Sequence, residues 1–152
     1  MSATTPNRIM SLTALFLVMT GCDSTYPPKL NGLYSLESAR SGDWTEGATL
    51  SPPEVTGVMR LSQWSVGPEW TYGHVQIELT HSAGSPGSRT RSWNGSYQND
   101  GLGQLTMSIN DLRFEGEYTR DGKSLTTVLS GDHSESGPSP AGTITWNLDE
   151  ES

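Results

Sequence analysis

The sequence predicts an all-β domain: a single antiparallel meander of about eight strands, closed on itself as an up-and-down barrel, with a β-sandwich as the alternative. Three observations predict it. Apolar residues alternate with polar ones along most of the chain after residue 29, and nowhere after Cys22 does a helical period persist for three turns. Asp-Gly and Asn-Asp pairs sit between the alternating runs, where tight hairpin turns require them. Glycines recur on the apolar face of several runs, as expected where a sheet coils strongly or a neighbouring backbone approaches closely.

The N-terminal segment reads as an address rather than as part of the domain. Met1–Arg8 is polar with one positive charge, and Ile9–Thr20 is an uncharged, mostly apolar run of 12 residues. A membrane-spanning helix needs ~20 apolar residues, so the run is too short to cross. Its length and flanks are those of a secretory signal peptide, over residues 1–21. The stretch Val18-Met19-Thr20-Gly21-Cys22 resembles the bacterial lipobox, with Met19 where that family usually carries Leu, Val or Ile. The resemblance implies cleavage between Gly21 and Cys22 and acylation of Cys22. Cys22 is also the chain's single cysteine, so no intramolecular disulfide can form. Two or more acyl chains hold a protein stably on a bilayer without a spanning helix. The expected location is therefore a bacterial cell envelope, lipid-anchored. Asp23 resembles an inner-membrane retention signal of enteric bacteria, and the choice between inner and outer membrane stays open. Residues 22–29 then form the lipidated cysteine and a short tether containing Pro27-Pro28, with docking of Tyr26 onto the domain as the alternative.

Residues 30–148 supply the strands. Leu30, Gly32, Tyr34 and Leu36 share one face of the first. Val55, Gly57, Met59 and Leu61 form the second, and Val75, Ile77 and Leu79 the third. Trp93, Gly95 and Tyr97 lie in the fourth, Leu105, Met107 and Ile109 in the fifth, and Leu112, Phe114, Gly116 and Tyr118 in the sixth. Leu125–Leu129 breaks the alternation, which predicts a bulge in the seventh. Ile144, Trp146 and Leu148 close the series, and residues 149–152 are an acidic tail.

Type I′ turns are expected at Asp100-Gly101 and Asp121-Gly122, with a third tight turn at Asn110-Asp111. An internal repeat lies across them. Trp93-Asn94-Gly95-Ser96-Tyr97 ending in Asp100-Gly101 matches Phe114-Glu115-Gly116-Glu117-Tyr118 ending in Asp121-Gly122. Two copies are too few for a solenoid or propeller. The Gly-x-Tyr and Asp-Gly pattern resembles avidin-like barrels, and Leu-x-Gly-x-Tyr at residues 30–34 stands where lipocalin-like proteins usually carry Gly-x-Trp. The resemblance implies a small barrel that binds or carries a small apolar or amphipathic ligand. The inward aromatics Trp93, Tyr97, Phe114, Tyr118 and Trp146 are candidates to line its site, or simply to fill the core. The loop Ser38–Glu54 adds Trp44, which can contact a ligand, cap one end of the barrel or pack outside. Ser82–Ser88 and Ser130–Ala141 read as polar surface loops.

Chemistry is sparse. Arg8 is the only charge before Cys22, so removing the leader takes the formal net charge from −8 to −9. That sign speaks against nucleic acid, which needs clustered Lys and Arg. His74 and His81 lie roughly 23 Å apart along an extended strand, too far to share one ion. Asp132-His133-Ser134-Glu135 reads as solvated loop, and Glu115 and Glu117 as an outward pair on one strand. No Gly-x-Ser-x-Gly elbow, Walker loop or His-Glu-x-x-His occurs, and Asn94-Gly95-Ser96 is a chance sequon. No metal, cofactor or catalytic residue is expected. Two function classes follow: a non-enzymatic ligand-binding or carrier barrel, and a structural or protein-interaction lipoprotein with a solid core. An enzyme would need His74, His133 and carboxylates brought into one pocket.

Overall fold

The computed structural model describes residues 27–82, 87–131 and 137–151. Residues 1–22, Asp23, Tyr26 and the Asp132–Glu135 cluster lie outside the described residues. Among the described residues there are nine strands: β1 (Gly32–Arg40), β2 (Thr49–Leu50), β3 (Val55–Val66), β4 (Trp70–His81), β5 (Arg89–Asp100), β6 (Gln104–Ile109), β7 (Leu112–Asp121), β8 (Ser124–Gly131) and β9 (Gly142–Glu150). Apart from the two-residue β2, which pairs only on β1, every strand is antiparallel to the next in the chain. β9 pairs back onto β1 from Leu33 opposite Glu150 to Arg40 opposite Thr143. The meander is therefore a closed eight-stranded barrel, and the sandwich alternative falls. Closure leaves none of the eight with an open edge.

Eight strands enclose a space just wide enough for side chains to fill. Here they fill it. Trp93, Trp146, Tyr34, Tyr97 and Phe114 are each at most 2% exposed. Burying one such ring removes about 150–250 Å² from water, worth about 4–6 kcal/mol before the entropy of ordering it is subtracted. Inward glycines make room for them. A Cβ on Gly73 would sit 2.8 Å from Tyr97 Cζ and 2.5 Å from the Ser62 carbonyl, so the tyrosine ring occupies the space the glycine vacates. In the repeat, a Cβ on Gly95 or Gly116 would instead strike the backbone of the adjoining strand, near Ile109 Cα and Leu129 Cα respectively. Those two glycines permit the sheet to coil tightly enough to close.

Three local expectations are corrected. β8 has no bulge: Leu125, Thr127 and Leu129 point inward, Val128 outward, and the register to β7 and β9 is unbroken. The polar Thr127 on the buried face only imitated a break. The irregularities lie elsewhere: between Leu36 and Ser38 on β1, between Gln63 and Ser65 on β3, and at Asp149 of β9, which is passed over opposite Leu33 and Tyr34. The shift between Leu36 and Ser38 moves the inward series from Leu36 to Ala39 and carries the strand on to Arg40. The turns differ too. Asn110 and Asp111 both take positive φ, 48° and 63°, as a type I′ turn requires. At Asp121-Gly122 only Gly122 does, and the loop is Gly122-Lys123. After Asp100, the Asp carboxylate caps a longer turn by accepting from Leu102 N at 2.9 Å and Gln104 N at 2.7 Å.

The barrel has two distinct ends. At the proximal end the chain enters through Pro27–Asn31, beside the β3–β4 hairpin tip, the β5–β6 and β7–β8 turns and the end of β9. The distal end carries the loop between β1 and β3, the β6–β7 turn and the start of β9.

Candidate functional site

The six aromatics singled out as possible ligand-lining residues are brought together, all buried inside the barrel. Trp93, from the middle of β5, meets Phe114 of β7 edge to face, with ring centroids 5.7 Å apart and planes at 87°. Trp146 on β9 donates from Nε1 to Thr127 Oγ1 at 3.4 Å, and that hydroxyl donates to the Ile144 carbonyl. Trp44 closes the distal end. Its loop is held by Ser41 and Thr45: Thr45 Oγ1 accepts from Ser41 N at 2.8 Å, and Gly47 N donates to the Ser41 carbonyl at 2.9 Å. This fixes the indole so that Nε1 donates to the Ala141 carbonyl at 3.4 Å, with the His81 ring edge-on at 5.9 Å. Among its three open readings, capping is the one the geometry gives.

The proximal end is sealed by a polar network that the sequence reading missed. Tyr34 donates to the Leu30 carbonyl at 2.9 Å, Tyr118 to the Asp100 carbonyl at 2.5 Å, and Asn99 Nδ2 to the Pro28 carbonyl at 3.2 Å and to Tyr118 Oη at 3.3 Å. Tyr34 of β1 and Asn99 of β5 thus tie down the entering segment, and Tyr118 of β7 ties Asn99 to the end of β5. Thr71 and Asn99 face each other across β4 and β5, both fully buried. Tyr97 Oη, Thr71 Oγ1 and Asn99 Oδ1 have no hydrogen-bond partner among the described residues. Burial pushes the Tyr97 phenol up to about 12, with the nearby Tyr34 adding to the rise. Burial also raises Tyr118, against the Asn99 hydrogen bond, and Tyr34, against the Arg120 charge. All three stay protonated at neutral pH, so they offer hydrogen bonds and no acid–base group poised near neutrality. The chain matches no known family model, no curated protein and no solved structure. Function must therefore be read from these residues alone.

His74, Glu115 and Glu117 lie on the outer wall, whereas His81 has the inward parity of β4 at its distal end. His74 points outward from β4, with Trp64 edge-on at 4.2 Å and 89°. His81 stands beside Trp44 at the other end of the same strand. Glu115 and Glu117 face solvent on β7, and Glu115 pairs with Arg113. Among the described residues no three His, Cys, Asp or Glu side chains converge. The described surface also carries open clefts. One lies on the outer wall over β3, β4 and β5, among Arg60, Ser62, His74, Gln76 and Asn94. Two flank the proximal end, one at Pro27, Pro28, Lys29 and Val66, the other at Pro68–Trp70 and Asp100–Leu102.

Thr71 and Asn99 were missed for identifiable reasons. Thr71 precedes the run expected as the third strand, and Asn99 lies past the alternating Trp93, Gly95 and Tyr97, directly before the Asp100-Gly101 turn. The signal available was parity: Asn99 follows Trp93, Gly95 and Tyr97 at even steps.

Proposed function

We propose that the mature chain is a lipid-anchored protein of a bacterial envelope that acts through the outside of a solid barrel, as a structural or interaction lipoprotein without catalytic activity. The observation that carries this reading is the filled interior. The Tyr97 and Phe114 rings occupy the volume beside Gly73 and Gly131, Trp44 covers one end, and the entering segment, held by Tyr34 and Asn99, covers the other. The anchor rests on the lipobox resemblance around Cys22, and the acidic net charge keeps nucleic acid an unsuitable partner.

A second reading keeps a small-ligand carrier of the lipocalin-like or avidin-like kind. It is favoured by one feature, the cluster of Tyr97 Oη, Thr71 Oγ1 and Asn99 Oδ1, since buried polar atoms normally find partners. A small molecule bearing a hydroxyl or carbonyl would satisfy them. Intact and native mass spectrometry of the purified protein tests both readings. The expected result is an acyl-modified N-terminal Cys22 and a barrel free of any stoichiometric small molecule. A ligand that persists through purification and is lost in Tyr97→Phe/Asn99→Leu would establish the carrier reading instead. An unlipidated chain, or detergent-phase partitioning unchanged in Cys22→Ser, would remove the anchor.

A further inference from the structure

Six large apolar side chains stand exposed among the described residues: Val58, Trp64, Val66, Tyr72, Leu102 and Val128. Their distribution is uneven. Val58 and Val128 lie singly on the outer wall, whereas the other four gather at the proximal end. Val66, Tyr72 and Trp64 belong to the β3–β4 hairpin, where Ser65 pairs with Tyr72 and Val66 with Thr71. Leu102, 90% exposed, tips the neighbouring β5–β6 turn, because Trp70 pairs with Asp100 across β4 and β5. Trp70 lies half-buried between them, in the cleft that Leu102 borders. Nothing in the fold needs these side chains outside, since the core is already full. An exposed cluster of this kind marks a contact surface.

What the surface meets is argued from where the chain enters. Val66 lines one cleft with Pro27, Pro28 and Lys29, so the entering segment runs directly beside the cluster. Cys22 lies five peptide steps before Pro27. A fully extended chain covers at most ~3.6 Å per residue, so a lipid on Cys22 is held within about 18 Å of Pro27. We propose that the proximal end rests in the interfacial zone of the bilayer that carries the Cys22 anchor, with Trp64, Tyr72, Val66 and Leu102 seated at headgroup level. This rests on the lipid-anchor reading above. Trp and Tyr favour that zone because an apolar ring and a polar edge are satisfied there together. The tether keeps the surface at a high local concentration, so even a weak apolar contact is maintained. The outer wall offers no comparable face: β7 presents Arg113, Glu115 and Glu117, and over β3–β5 the lone Val58 stands among Arg60, Gln76, Glu78 and Asn94. The barrel then stands end-on, with the Trp44 loop directed away from the membrane.

Tryptophan fluorescence of the full mature protein in vesicles of phosphatidylethanolamine and phosphatidylglycerol tests this. Trp44, Trp93 and Trp146 are buried, so Trp64 and Trp70 report contact with quenchers. Bromine-labelled lipids are expected to quench the wild-type emission and aqueous iodide to do so weakly. Trp64→Phe should remove roughly half of the lipid quenching, one reporter of two. Strong iodide quenching with no effect of brominated lipid overturns the proposal while leaving the anchor in place. Protection from iodide without lipid quenching, as a second copy or a protein partner would give, overturns it too. A mature protein whose mass lacks acyl chains on Cys22 brings down the anchor itself and the docking with it.

Discussion

The two ends of the barrel solve the same problem with opposite chemistry. At the distal end one indole, Trp44, is laid across the mouth by a loop wired through Ser41, Thr45 and Gly47, and polar turns such as Asn110-Asp111 face outward. At the proximal end the closure is polar, made by tyrosine hydroxyls and Asn99 gripping carbonyls of Pro28, Leu30 and Asp100, while the outward surface is apolar. The difference teaches that sealing a core and presenting a surface are separate tasks. Water must be kept from the same buried rings at both mouths. Only the proximal mouth places Trp, Tyr, Val and Leu where the core gains nothing from them.

The strongest way to break this comparison is to remove one apolar plug from each end. Leu30, within the entering segment, is fully buried, and Trp44, within the distal loop, is nearly so. Leu30→Ala is expected to cost about 2–5 kcal/mol and Trp44→Ala about 3–5 kcal/mol, each through lost transfer energy and a residual cavity. Denaturant unfolding followed by far-UV circular dichroism measures both. If Trp44→Ala costs under about 1 kcal/mol, the distal loop is a detachable cover rather than part of one cooperative core.

Alkaline pH acts on one end alone. Tyr34, Tyr97 and Tyr118 all lie at the proximal end with raised pKa values, Tyr97 pushed up to about 12. Above pH 10 the unfolded chain releases these phenolic protons while the folded chain retains them. Stability is thus fully present below pH 10 and falls as pH rises from there through about 12. Each such tyrosine contributes a slope of up to about 1.4 kcal/mol per pH unit in that window. Urea midpoints measured between pH 9 and pH 11 should decline, and Tyr97→Phe should flatten the decline without restoring all of it, about half or less given two remaining tyrosines. A midpoint unchanged across that range would mean that the proximal seal opens to solvent in the native state.

These ends were unequally legible in the sequence. The strands that alternate cleanly, such as Val75–Leu79 and Ile144–Leu148, declare both their existence and their inward face. The antiparallel order followed from short turns between them. Bulges were invisible, because one inserted residue shifts parity without any compositional mark, as between Leu36 and Ala39. A buried polar residue had the reverse effect, since Thr127 hid a regular strand. β2 is two residues long and has no period to detect. The proximal network suffered most. Its members Thr71 and Asn99 carry polar side chains into the barrel, and alternation of apolar residues cannot reveal a polar inward face. Exposure of Trp64 was equally hidden. It sits within the irregularity of β3, where period two assigns no face.

The smallest expected effect sharpens the contrast most. Trp64 is 55% exposed and touches the fold mainly through the His74 ring. An edge-to-face pair is worth about 0.5–1.5 kcal/mol at best, and exposure reduces it, so Trp64→Ser is expected to shift stability by less than about 1 kcal/mol. Removing a large aromatic from the distal mouth would unseat the core; removing a larger exposed area from the proximal rim would leave it intact. Side by side, the unfolding curves of Trp64→Ser and Trp44→Ala test that directly. A loss in Trp64→Ser equal to that of Trp44→Ala would show the hairpin aromatics to be structural, and their exposure would no longer point to any surface outside the protein.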